Sequence, residues 1–190
     1  MAVASEMLPL GTVAPDFALP DPGGVVHTLD GIAGGAPGVL VAFLCNHCPY
    51  VKHVAPKLAQ LATGWQERGL AVVAVSSNDV ENYPEDAPEH MATEIVERGY
   101  TFPYLYDESQ DVARAYHAAC TPDFFLFDGD RRLVYRGQFD DRRPKNDLPV
   151  TGADLDAAVD ALLSGRPLDG LDQWPSLGCG IKWKPGTEPT

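Results

Sequence analysis

The run Gly38-Val39-Leu40-Val41-Ala42-Phe43-Leu44 carries no polar side chain and ends on Cys45-Asn46-His47-Cys48-Pro49. A short apolar stretch of this kind reads as a strand buried on both faces. After Cys48, apolar residues recur at Val51, Val54, Leu58 and Leu61, spaced 3, 4 and 3, which is one face of a helix. Pro49 suits the first helical turn, where its missing N–H costs nothing. Pro56 falls inside the helix and is expected to kink it. A buried strand feeding directly into a helix restricts the chain to folds that cover a sheet with helices. Two thiols three residues apart at such a junction can close a small disulfide. Free backbone N–H groups and the positive end of the macrodipole favour a thiolate there. This points to thiol–disulfide chemistry rather than a static crosslink.

The remaining pattern supports an α/β chain. Asp16 to Leu19 and Val25 to Leu29 flank Pro20-Asp21-Pro22-Gly23-Gly24, which predicts a hairpin. Leu70 to Val75 is a second buried strand, ended by Ser76-Ser77-Asn78-Asp79. Pro88 to Gly99 reads as a helix with Met91, Ile95 and Val96 inward and Gly99 as its stop. A short helix is expected over Gln110 to Ala119. Phe124 to Phe127 is a strand that Asp128-Gly129-Asp130 turns into Leu133-Val134-Tyr135. Thr151 with Asp154 resembles a capping box opening a helix from Leu155 to Leu163. Residues 165–190 are rich in Pro and Gly, and the expectation is an irregular tail packed on one domain that spans 1–190 with its core at about 11–163. The sheet is expected to be mixed, with helices on both faces, and reactive groups gather beyond the C-terminal ends of parallel strands. Cys45 sits at such an end.

The chain of 190 residues has a net charge of −13, which argues against nucleic acid or an anionic membrane as a partner. Met1 to Met7 holds no Lys or Arg and no long apolar run, so no secretory signal is expected. No window approaches the roughly 18 apolar residues of a membrane span. The expected location is cytoplasmic, where structural disulfides are rare and a close Cys pair is more often catalytic or metal-binding.

These elements in this order resemble the thioredoxin fold. Within it they resemble the redoxin branch of alkyl hydroperoxide reductase, thiol-specific antioxidant and peroxiredoxin-like proteins. Gly11 to Leu19 is similar to the family's opening hairpin, Cys45 to Val51 to its active-site turn, and Thr121-Pro122-Asp123 to its cis-proline loop. Tyr135-Arg136-Gly137 opens the segment after that loop. A bacterial subgroup that keeps a CxxC pair ends in a motif like Gly178-Cys179-Gly180-Ile181-Lys182-Trp183. The resemblance implies a thiol–disulfide oxidoreductase that needs no metal, haem or nucleotide. Its partners would be protein or small-molecule disulfides, or peroxides, with an external reductant. The chain also departs from the pattern. Leu44 replaces the Trp that precedes the first Cys of thioredoxins, and Gly38 to Leu44 lacks their buried carboxylate. The PxxxTxxC pattern of peroxiredoxins is not met: counting from Cys48 gives Val41 and Cys45, and from Cys45 gives Gly38 and Ala42.

On the thioredoxin reading Cys45 is the attacking thiolate and Cys48 resolves the mixed disulfide. The subgroup's alignment instead puts Cys48 at the peroxidatic position. His47, when protonated, would favour a thiolate at Cys45; the alternative is a solvated turn residue. Thr121 and Pro122 would lie beside the thiols and offer backbone groups to an extended substrate, or form a plain turn. Cys120 and Cys179 form either a second dithiol that relays electrons or two buried, inert thiols. Cys45, Cys48 and His53 can offer three zinc ligands, but no second CxxC completes a site, and His53 otherwise reads as a helix-surface residue. His27, His90 and His117 carry no motif. Lys52 and Arg136 either help stabilise a thiolate or are solvated charges, the commoner case, and Asp79, Glu81, Glu85, Asp86 and Glu89 read as a solvated loop and helix start. Two other functions remain open. One is a thiol peroxidase working through a sulfenic acid, and the other a redox-sensing or metal-binding module.

Overall fold

The computed structural model describes residues 2–144 and 146–189. β1 (Ala2–Ala4) is followed by the hairpin of β2 (Ala18–Pro20) and β3 (Val26–Thr28). Its turn closes because Asp21 Oδ1 accepts from the N–H groups of Gly23 and Val25 at 2.8 and 3.0 Å. The strand reading through Leu29 stops early, since Thr28 caps a short helix α1 (Leu29–Ala33) by accepting from Gly31 N at 3.0 Å. Then come β4 (Gly38–Phe43) and α2 (Pro49–Glu67), which runs on through Pro56. β5 (Ala71–Ser76) leads to α3 (Pro88–Arg98), which ends on left-handed Gly99 at φ 70°. Met91 and Ile95 face inward, but Val96 is 80% exposed. Five residues beyond Met91 at 3.6 per turn is well off the buried stripe, so this expectation fails on helical geometry.

β6 (Tyr104–Tyr106), too short to announce itself in the sequence, is buried throughout. The helix expected over Gln110 to Ala119 is confined to α4 (Asp111–Ala115), because Gln110 and His117 adopt φ of 65° and 51°. β7 (Cys120–Thr121) and β8 (Asp123–Asp128) follow, and an Asp128 turn leads to β9 (Leu133–Gly137). α5 (Ala153–Leu163) starts without a capping box. Asp154 accepts from Gln138 Nε2 at 2.6 Å, and it is Asp140 Oδ2 that takes the N–H groups of Thr151 and Gly152, both at 2.7 Å.

The main sheet has the order β6-β5-β4-β8-β9, with β6, β5 and β4 parallel, β8 antiparallel to β4 and β9 antiparallel to β8. This is the mixed sheet the pattern predicts. Strand alternation sorts its core: Leu40, Ala42 and Leu44 face α2, α3 and α5, while Val39, Val41 and Phe43 face α1, α4 and the hairpin side. Each of the Leu, Val and Phe side chains among these contributes roughly 1.5–3 kcal/mol on full burial. Trp65 Nε1 ties α2 to α5 through Asp156 Oδ1 at 2.7 Å. Among the described residues no helix is long and apolar enough to cross a membrane.

The tail departs from expectation. It packs on the core, but it is not irregular throughout: β10 (Leu177–Gly180) lies antiparallel between β1 and β7. The backbone of β7 selects the strand here, since Leu-Gly-Cys-Gly has little strand propensity of its own.

Candidate active site

β4 ends where Leu44 N donates to Val75 O at 2.9 Å, and the next residues turn into α2 with Cys48 as its N-cap. The turn brings both Cys45 and Cys48 against Thr121. Cys45 Sγ lies 3.3 Å from Thr121 Oγ1, and Cys48 Sγ lies 3.2 Å from Thr121 O. The Thr121-Pro122 peptide is cis. The structure therefore brings Cys45, Cys48, Thr121 and Pro122 together, with Cys45 and Cys48 only 1% and 0% exposed.

The two thiols are not equivalent. The Cys45 thiol donates to the Cys48 sulfur, and the Cys179 thiol and the N–H groups of Val51 and Cys179 also face it, against the opposing effect of burial. Together these donors pull Cys48 down to about 4. Cys45 is held well above the ordinary thiol range by the shared hydrogen bond with Cys48, by burial and by the Asp86 carboxylate. Of the two assignments the sequence leaves open, Cys45 as the attacking thiolate or Cys48 at the peroxidatic position, these shifts favour Cys48, at the helix start where the macrodipole also acts.

Asp86 is the residue that sequence reasoning missed. It was read as solvated, yet it is fully buried beneath the Cys turn. Its Oδ1 accepts from Asn46 N at 2.8 Å and His47 N at 3.2 Å. Its Oδ2 takes His47 Nδ1 at 2.6 Å and Asn78 Nδ2 at 2.7 Å. The carboxylate thus closes the turn and orients the imidazole, leaving Nε2 as the nitrogen free to exchange a proton. Tyr83 stacks on the ring at 5.7 Å. His47 is therefore an anchored residue rather than a freely solvated one. Asp79 is also buried, accepting from Asn82 Nδ2 and Glu81 N, whereas Glu81, Glu85 and Glu89 are exposed as expected.

The zinc set considered from sequence does not assemble. His53 is half-buried against Tyr50, Asp140 and Arg142, with Nε2 lacking a partner, and burial first, then Arg142, lowers its pKa. The ligand atoms of Cys45, His47 and Asp86 do lie within 4.8 Å of one another. Both Asp86 oxygens are already engaged, so a metal would have to strip these bonds. Arg136 is half-buried on Gln173 Oε1 at 2.6 Å, and Lys52 is exposed.

Cys120 and Cys179 do not form a dithiol. Gly180 pairs with Cys120 and Cys179 with Thr121, so ladder alternation sends the two cysteine side chains to opposite faces. Cys120 is buried with its thiol donating to Pro122 O at 3.7 Å, and burial pushes its pKa far up. Gly178 sets how closely β10 approaches: a Cβ there would lie 2.0 Å from Thr121 O and 2.6 Å from Thr121 C. Gly178→Ala is expected to cost about 1–3 kcal/mol, because the obstacle is backbone that no rotamer relieves. A urea midpoint equal to wild type would contradict this.

The AhpC/TSA family profile matches residues 10–136. The thiol-disulfide oxidoreductase ResA of Geobacillus kaustophilus is 29% identical over 131 residues, 67% of this chain and 70% of that protein. An uncharacterized conserved protein of solved structure, also from Geobacillus kaustophilus, is 54% identical with a TM-score of 0.94 over 98% of each chain. A putative thiol:disulfide interchange protein DsbE from Chlorobium tepidum shares the fold at 24% identity, with a TM-score of 0.65 over 83% of this chain and 99% of that one.

Proposed function

The chain belongs to the AhpC/TSA family and has a thioredoxin-like fold, and from that premise we propose that it is a thiol–disulfide oxidoreductase working through Cys45 and Cys48. The observation that carries the reading is the placement of two buried thiols at the start of α2 against one residue of the cis-proline loop, Cys45 Sγ 3.3 Å from Thr121 Oγ1 and Cys48 Sγ 3.2 Å from Thr121 O. The Cys48 thiolate attacks one sulfur of a substrate disulfide and expels the other as a thiolate, which takes up a proton. Cys45 then gives up its proton and attacks the Cys48 sulfur of the mixed disulfide, freeing the second substrate thiol. The substrate gains two electrons and two protons, and a Cys45–Cys48 disulfide remains. An external dithiol reverses this.

His47 and Asp86, within 4.8 Å of Cys45, stand in for the carboxylate absent from Gly38 to Leu44 and receive the Cys45 proton. Since Cys45 and Cys48 are both covered, a substrate reaches them only when a neighbouring segment moves aside. The partners are a protein or small-molecule disulfide and a dithiol reductant.

The test is reduction of insulin disulfides by wild type and single variants. Cys48→Ser is expected to abolish it. Cys45→Ser is expected to lower turnover, and Cys45→Ser/Cys179→Ser, which leaves Cys48 without a neighbouring thiol, to stall as a mixed disulfide on Cys48, detectable by mass. Undiminished reduction in Cys48→Ser would sink the reading. A peroxidase is the second reading, favoured by the low Cys48 thiol pKa of about 4. It predicts hydrogen peroxide consumption faster than insulin reduction, lost in Cys48→Ser.

A further inference from the structure

β10 occupies the ladder edge that the sequence reading left open for a substrate strand. Cys179 pairs with Thr121 there, and β1 holds the other edge of β10. Alternation along the ladder puts the Cys179 side chain on the same face as that of Thr121, whose Oγ1 meets Cys45 Sγ at 3.3 Å. The carbonyl of the same residue meets Cys48 Sγ at 3.2 Å. Cys179 packs against the buried cluster that holds Cys45 and Cys48. The chain thus presents a cysteine on an extended strand where a disulfide-bearing substrate strand would dock. This strand lies outside residues 10–136 that define the family match. It also differs from the buried pair in access: Cys45 and Cys48 are sealed, and Cys179 is half-exposed.

We propose that Cys179 is a third redox thiol, which takes over the disulfide from Cys45 and Cys48 and carries it to the surface. The step is a redox-neutral exchange. The Cys179 thiolate attacks the Cys48 sulfur of the Cys45–Cys48 bond, a Cys48–Cys179 bond forms, and Cys45 leaves as a thiolate that takes up the proton Cys179 gave up. An external dithiol then attacks the Cys179 sulfur, and Cys48 leaves as the favoured thiolate. The reductant's second thiol closes its own disulfide and frees Cys179. The inference rests on the reading of Cys45 and Cys48 as a redox pair.

Closing the Cys45–Cys48 bond also eases the ionisation of Cys179. In the reduced protein burial, the shared hydrogen bond with Cys48 and the Cys48 anion hold Cys179 up at about 11, against the pull of Lys182. Closing the Cys45–Cys48 bond removes that anion and leaves Lys182, so Cys179 ionises more readily when there is a disulfide to attack.

The experiment is disulfide mapping after oxidised glutathione is added to the reduced protein, with free thiols alkylated before trypsin digestion. Cys45 and Cys48 share the peptide ending at Lys52, and Cys179 lies in the one ending at Lys182, so a Cys48–Cys179 bond joins two peptides. Wild type is expected to show Cys45–Cys48 first and the joined peptides later. In Cys45→Ser the joined peptides become the main product, and they are lost in Cys45→Ser/Cys48→Ser. Gly178→Ala, which pushes β10 off Thr121, is expected to lose them while keeping Cys45–Cys48. Wild type that forms Cys45–Cys48 while Cys179 stays fully alkylated, with Cys45→Ser holding glutathione on Cys48, would overturn the inference and leave the function standing. Joined peptides with no Cys45–Cys48 at any time would overturn the redox pair, and the exchange with it. The wild-type time course decides the matter even if a variant fails to fold.

Discussion

Asp86→Ala is expected to lower the unfolding free energy by about 3–5 kcal/mol, read as a shift in the urea midpoint at constant slope. The side chain is fully buried and accepts from Asn46 N, His47 N, His47 Nδ1 and Asn78 Nδ2. Its removal leaves these donors facing a cavity, and each unmet buried donor costs about 1–3 kcal/mol before the site relaxes. Asp86→Asn separates shape from charge. It keeps an oxygen for the two backbone N–H groups but turns a donor toward Asn78 and His47, so a smaller loss is expected. In both variants His47 loses its anchor. The mixed disulfide on Cys48 should then persist longer, because Cys45 has lost the group that receives its proton. An unfolding free energy within about 1 kcal/mol of wild type would return Asp86 to the solvated role its sequence suggests.

Asp123→Asn is expected to stabilise the protein in alkaline solution. Asp123 faces Phe43 across the β4–β8 ladder and is 1% exposed. Its Oδ2 accepts one long bond from Ala119 N at 3.4 Å, and its Oδ1 has no hydrogen-bond partner. Burial pushes this carboxyl up to about 8. The folded value therefore lies above the unfolded one, and the native state keeps a proton that the unfolded chain releases. The associated stability is complete below the ordinary carboxylate range and is lost as pH rises through about 8. Asparagine does not ionise and keeps an oxygen for Ala119. Wild type and variant should melt alike in acid and diverge upward in pH, reaching about 2–4 kcal/mol in favour of the variant once Asp123 is ionised. Parallel Tm profiles across this range would show that the carboxyl titrates normally.

Asp123 and Asp86 show what kinds of feature a linear reading can see. The Cys45 to Cys48 turn was legible because its determinants are local: an apolar run, a break, a proline at the first helical position, then helical spacing. The Thr121-Pro122 loop was legible only through family resemblance, since nothing around it places it beside residues more than seventy positions earlier. Asp86 sits among Glu81, Glu85 and Glu89 in a stretch with the composition of a solvated loop. Its burial comes from Asn46 and His47, about forty residues away. Val96 failed on a smaller scale: an apolar residue near a buried stripe was taken as part of it.

The sequence by itself determined the alternation of strands and helices, the thiol turn at a strand end and the family to which these belong, because periodicity and turn chemistry act over a few residues. Only the tertiary structure decided which carboxylate holds His47, that Cys45 and Cys48 both meet Thr121, and that the tail forms β10 on the β7 edge. Each of these depends on donors and strand edges supplied by distant segments. A solvated Asp becomes a buried anchor, and a Gly-rich tail becomes a strand, only when another part of the chain supplies the hydrogen bonds that water would otherwise make.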